Sequence, residues 1–148
     1  MNLVPLNVLP ETDHRLLQEL GSAADALGVE LWLVGGSVRD ALLNHSLVDL
    51  DLTSEMSADE LVPALMKAVE IRVISRSRFG TIKLAVGNRT LDIATARSEH
   101  YSRPGSLPAI SPGNMATDLA RRDFSVNAMA ASLKPDSFGA LLDPEDGV

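Results

Sequence analysis

The chain has no cysteine among its 148 residues, which rules out disulfides and thiolate metal sites. No apolar run approaches the length of a membrane span, and Met1–Pro10 lacks the basic start and apolar stretch of a secretory signal. Basic residues are scarce as well. Thirteen Lys and Arg stand against 20 Asp and Glu, leaving a net charge of −7. A domain that held nucleic acid mainly by its own surface would be basic, because phosphate neutralisation supplies most non-specific affinity. Any polynucleotide must therefore be gripped mostly from elsewhere, or by a local basic strip. The simpler reading is that surface acid keeps the protein soluble. No Gly-Lys-Ser/Thr follows the glycine pair at 35–36, so there is no Walker loop, and the dinucleotide fingerprint is missing too. What remains is ordinary for one globular domain, with 45% hydrophobic and 22% charged residues. The expectation is a soluble cytoplasmic protein with no membrane partner.

The hydrophobic pattern orders the chain. Leu16, Leu17, Leu20, Ala24 and Leu27 make one apolar stripe over 11–28, a helix that Thr12 or Asp13 can cap and Gly28 can end. Leu31-Trp32-Leu33-Val34 reads as a buried strand stopping at the glycine pair. A second helix starts near Ser37, which can cap it. Val48, Leu50 and Leu52 alternate with Asp49, Asp51 and Thr53, a strand with one apolar and one polar face. Ser57-Ala58-Asp59-Glu60 fits a capping box before a helix with Leu61, Leu65 and Val69 inside. Ile82, Leu84 and Val86 alternate in a further strand, which turns at Gly87-Asn88 into one beginning Leu91-Asp92-Ile93. From His100 to Asn114, Pro104, Pro108 and Pro112 argue against a regular element, so a surface loop is expected. Helical pieces are expected at 115–122 and 124–131. This order predicts an α/β or α+β domain with a small mixed sheet.

Three constellations carry chemistry. Gly35-Gly36-Ser37-Val38-Arg39-Asp40 sits at a strand-to-helix turn, where backbone N–H groups can close on a phosphate and Arg39 can reach it. A plain tight turn, with Arg39 paired to Asp40, is the structural alternative. Asp49 and Asp51, two apart on a strand, point to one side; their repulsion would be relieved by a divalent cation. Mg²⁺ takes one or two carboxylates plus phosphate oxygens, and two such ions can hold both oxygens of an in-line displacement. Asp92 is the natural third acid, with an ordinary solvent-facing residue as the alternative. Arg121-Arg122-Asp123-Phe124 with Asn127 is a further polar cluster. Its two arginines point in different directions on a helix, so they cannot both serve one ligand, while Asp123 and Asn127 share a side.

In this order, these residues resemble the head domain of bacterial-type (class II) tRNA nucleotidyltransferases and poly(A) polymerases. The resemblance spans Leu31 to Val148. It rests on Leu33-Val34-Gly35-Gly36-Ser37-Val38-Arg39-Asp40, Asp49-Leu50-Asp51, Arg78-Phe79-Gly80-Thr81, Leu91-Asp92-Ile93-Ala94-Thr95, and the stretch from Asp118 through Arg122 and Asn127 to Ala128. It implies an α+β, polymerase-β-like nucleotidyltransferase fold with a small mixed sheet flanked by helices. It also implies template-independent addition of CMP and AMP to tRNA 3′ ends, from CTP and ATP, with release of pyrophosphate. By the resemblance Gly35, Gly36, Ser37 and Arg39 hold the triphosphate, and Asp49 and Asp51 bind two Mg²⁺ ions. Arg122 contacts the nucleotide, Asp123 and Asn127 lie near its ribose or support the loop, and Asp92 matches a position that usually carries an acid. Poly(A) addition, or addition of only CC or only A, stays open within the family. A catalytically silent nucleotide-sensing module is the alternative from another class. The family continues from its head into a neck, body and tail, and the neck selects the base. Nothing in this sequence corresponds to them, so the chain reads as a truncated head: residues 1–30 a helical extension, 31–148 the head domain. Such a fragment is expected to be inactive or weakly active and to bind tRNA weakly or not at all.

Overall fold

The computed structural model describes residues 3–6, 9–43, 50–78, 80–100, 109–112, 115 and 129–142. In chain order the elements are α1 (Glu11–Ala26), β1 (Leu31–Val34), α2 (Gly36–Leu42), β2 (Leu50–Ser54), α3 (Ala58–Leu65), β3 (Arg72–Arg76), β4 (Thr81–Val86), β5 (Arg89–Thr95), β6 (Arg97–His100), β7 (Ala109–Pro112), β8 (Ala130–Ser132) and β9 (Leu141–Leu142). Seven strands form one mixed sheet in the order β3-β4-β5-β2-β1-β8-β9, and β6-β7 form a separate hairpin. Within the large sheet β2 and β5 run parallel while the other neighbours are antiparallel. The α3–β3–β4 segment is what carries the chain across between those two parallel strands.

Alternation decides which side of the sheet each residue serves. Leu31 and Leu33, Leu50 and Leu52, Ile82 and Leu84, Leu91 and Ile93 are all buried, and they join Leu17 and Leu20 of α1 and Leu61 and Leu65 of α3 in one core. Each fully buried leucine or isoleucine contributes roughly 1.5–3 kcal/mol. The stripe read for α1 is therefore the face that packs. Gly21 marks its closest approach, since a methyl group there would overlap the Leu133 carbonyl.

Several local expectations are corrected. The N-cap of α1 is Pro10, and no side chain caps it. Asp13 is instead buried and pairs with Arg89 of β5 at 3.1 Å, because a tertiary ion pair satisfies that carboxylate better than a cap facing water. The last turn does end at Gly28, with φ 76°. Ser57 is the N-cap of α3, yet its side chain makes no capping bond. The Ala58 N–H donates to Thr95 Oγ1 at 2.9 Å, so the cap comes from β5. Ser37 lies inside α2, whose N-cap is Gly35.

The edge strand β3 was not expected. Its residues are mostly exposed, and a bulge between Val73 and Ser75 breaks the alternation that would have marked it. Residues 109–112, expected within a loop, form β7; Pro112 pairs with Arg97 at the end of a two-stranded hairpin, where a missing N–H costs little. Ala130 and Ala131, expected at the end of a helix, are strand, paired with Val34 and Leu33 of β1. Met115 is helical, and the rest of the two expected helical pieces up to residue 128 lies outside the described residues.

Candidate functional site

The core covers one side of the sheet; the alternating residues face the other. Across β8, β1 and β2 these are Ala130, Val34, Trp32, Thr53 and Asp51, and across β5 and β4 they are Asp92, Ala94, Lys83 and Thr81. A small second cluster of Val34, Ala96, Met115, Ala130, Trp32 and Leu142 covers the β1–β8–β9 half. Met115 is tied there by its N–H donating to Glu55 Oε1 at 3.0 Å. Thr53, expected on a polar exposed face, is buried beneath this edge beside Trp32, and its Oγ1 has no hydrogen-bond partner among the described residues.

The other half of that side is charged. Asp51 and Asp92 are registered partners on the parallel strands β2 and β5, so their side chains project together. Lys83 is the registered partner of Asp92 on β4, with its Nζ 3.6 Å from Asp92 Oδ1. Asp51 is also tied to the glycine turn. Its N–H donates to Ser37 Oγ at 3.3 Å, joining the acid strand to α2.

The turn itself needs glycine. Gly35 has φ 66° and ψ −134°, a region that other residues enter only under strain. Its N–H donates to the Met129 carbonyl at 3.1 Å, so this member of the pair fastens β1 to the start of β8 and is not left for an anion. The helical ladder begins with Val38 N–H to Gly35 O, at 3.0 Å. The Gly36 and Ser37 N–H groups, which precede that first bond, are those a helix start leaves outside its own ladder. The Arg39 side chain folds back over Gly36, where an added methyl would meet its Nη2 at 3.2 Å. Arg39 Nε also donates to Asp40 Oδ1 at 3.3 Å. Arg39 thus lies over the turn and is paired with Asp40, the arrangement that the structural alternative described.

Of the residues singled out in the sequence, the fold brings together Gly35, Gly36, Ser37, Arg39, Asp51 and Asp92. Asp49, Arg122, Asp123 and Asn127 lie outside the described residues, as does Arg121. Among the described residues no group of three His, Cys, Asp or Glu side chains gathers as a metal cage. Two contributors were missed. Lys83 appears in the sequence only as a polar residue of an alternating strand; its meaning comes from the β4–β5 register. Thr95 accepts from Ala58 N–H and donates to the Gly80 carbonyl at 3.2 Å. The threonine of Leu91-Asp92-Ile93-Ala94-Thr95 and the glycine of Arg78-Phe79-Gly80-Thr81 are therefore structural partners.

The family model of the Poly A polymerase head domain matches residues 31–148. The A-adding tRNA nucleotidyltransferase of Halalkalibacterium halodurans is 42% identical over 149 aligned positions, covering 99% of this chain and 35% of its own. The CC-adding tRNA nucleotidyltransferase of Deinococcus radiodurans is 38% identical, covering 95% of this chain and 37% of its own. The chain thus spans about a third of the length of these relatives. Among solved structures, a CCA-adding enzyme in an apo form superimposes with a TM-score of 0.88 at 30% identity, over 99% of this chain and 36% of that one. The Thermotoga maritima CCA-adding enzyme complexed with tRNA gives a TM-score of 0.80 at 31% identity, over 99% of this chain and 33% of that one. The mixed sheet covered by helices on one side is the polymerase-β-like α+β nucleotidyltransferase fold, as expected. By the length and order of the match, the chain belongs to the Poly A polymerase head-domain family.

Proposed function

We propose that this chain is the catalytic head of a template-independent tRNA nucleotidyltransferase that adds CMP or AMP to tRNA 3′ ends and releases pyrophosphate. The observation that carries the reading is the juxtaposition of Asp51 and Asp92 on parallel neighbours, with Asp51 hydrogen-bonded to Ser37 of the glycine turn. The acid pair and a phosphate-type turn meet at the middle strands of the sheet, on the side away from α1 and α3. Relatives named as A-adding, CC-adding and CCA-adding enzymes support the reaction class. So do solved CCA-adding relatives holding CTP, ATP and tRNA.

In this reading Asp51 and Asp49, with Asp92 beside them, are the oxygen donors for Mg²⁺, and the donor chemistry fits. Two carboxylates in register on adjacent strands supply hard anionic oxygens, leaving the remaining positions to substrate phosphates. The bound ions supply charge neutralisation at the phosphates and a lowered pKa for a coordinated hydroxyl. The chain's own residues do the positioning. Gly36, Ser37 and Arg39 hold the triphosphate at the turn, Gly35 setting its shape, while Arg122, Asp123 and Asn127 serve the nucleotide. The primer 3′-hydroxyl attacks the α-phosphorus, pyrophosphate leaves, and no side chain acts as nucleophile. Residues 31–148 form the head proper in this assignment, and a role in tRNA processing places the protein in the cytoplasm.

The test uses the full-length protein with Mg²⁺, CTP, ATP and a tRNA lacking its CCA end. Asp51→Ala is expected to lower incorporation by on the order of 10²–10³-fold. Incorporation unchanged in that variant removes the assignment of Asp51. A wild-type protein that binds nucleotide without transferring it favours the silent sensing module.

A further inference from the structure

Lys83, Asp92 and Asp51 form a straight row across β4, β5 and β2, each the registered partner of the next. Lys83 keeps 47% of its side chain exposed and Asp92 34%. An ion pair this open to water adds little to folding, so stability does not account for a cation at this position. Its neighbours along β4, Ile82 and Leu84, are buried on the helix-covered side, so alternation commits Lys83 to the side that carries the acids. The two arginines of β3 are placed differently. Arg76 points to the helix side, where it pairs with Asp59 at 3.0 Å, and Arg72 is registered with Ala85, two positions along the strand.

We infer that Lys83 is a positioning residue and built-in counter-charge of the acid site: it draws the Asp92 carboxylate toward β4 and sets how tightly Asp51 and Asp92 take a divalent cation. This rests on the metal reading of those two acids given above. With no cation bound, the ammonium offsets the repulsion between two carboxylates on adjacent strands. When a cation binds, the same ammonium competes for Asp92 and repels the newcomer across a few ångströms. Lys83 thereby weakens cation binding and keeps the site exchangeable. Because Lys83 is half exposed, added salt should shrink its effect.

The test is Mn²⁺ binding to the full-length protein, measured by calorimetry and by the fluorescence of Trp32. Trp32 is the single tryptophan of these 148 residues and the registered neighbour of Thr53, two residues from Asp51, and its signal is read as the difference from a Trp32→Phe variant. Lys83→Met is expected to bind Mn²⁺ about 3–10-fold more tightly at low salt. Lys83→Arg should restore the wild-type affinity within about twofold. In turnover, Lys83→Met should reach half-maximal rate at a lower Mg²⁺ concentration. Asp51→Asn serves as the control and should weaken Mn²⁺ binding. If Asp51→Asn weakens binding while Lys83→Met leaves it unchanged or weaker, the counter-charge role is overturned. If Asp51→Asn has no effect either, the metal reading itself falls.

Discussion

The two sides of the seven-stranded sheet are built from alternate residues of the same strands, yet they answer to different constraints. The helix-covered side is aliphatic at its centre, where Leu31, Leu33, Leu50, Leu52, Ile82, Leu84, Leu91 and Ile93 are buried in one core with residues of α1 and α3, and it turns polar at the β3 edge with Arg76. The opposite side is divided: a small apolar cluster with Trp32 and Met115 covers one half, and Lys83, Asp92 and Asp51 occupy the other. One side buries the apolar surface that stabilises the fold, and the other sets two carboxylates side by side with an ammonium in the same row. A sheet can hold two carboxylates in register only when its remaining face buries enough apolar surface to offset them.

The comparison predicts a separation of effects. Asp51→Ala, which should cut transfer by on the order of 10²–10³-fold, is expected to change stability by no more than about 1 kcal/mol, because its side chain adds nothing to the leucine core on the other side. A clear loss of stability in that variant would break the division between the sides. Gly21→Ala is the converse. Alanine favours a helix over glycine by about 1 kcal/mol, but here its methyl would overlap the Leu133 carbonyl. A net destabilisation of about 2–3 kcal/mol is expected, seen in urea unfolding, with specific activity of the folded fraction retained. Gly35→Ala lies where the sides meet and should show both effects. Forcing a Cβ into φ 66° costs about 1–3 kcal/mol, and the shifted turn should raise KM for the nucleotide. Arg76→Ala sharpens the contrast by its smallness. Its pair with Asp59 is exposed on both partners, so stability should change by no more than about 0.5 kcal/mol.

Much of this was legible in the residues. Leu31–Val34, the β4–β5 hairpin through Gly87-Asn88 and the apolar stripe of α1 follow from periodicity, because a period of two or 3.6 is a local property. The glycine pair after β1 and the alternation that sets Asp51 opposite Leu50 and Leu52 are local in the same way. Edges and caps were less legible. β3 buries almost nothing, so it lacks a pattern. Ser57 and Asp13 look like capping residues, but neither makes a capping bond: Thr95 caps α3, and Asp13 pairs with Arg89. Those partners lie dozens of residues away, and sequence spacing does not record them.

The sequence by itself determined that Asp51 and Asp92 each stand opposite an apolar strand face, since alternation leaves them no other side. It also determined the glycine that the turn after β1 requires. Only the tertiary structure decided that these two acids are neighbours, that Lys83 completes their row, and that Gly35 spends its N–H on Met129. Which strands adjoin, and in what register, is set by long-range packing of the buried leucines, and a shift of one residue would have turned the same side chains into the core.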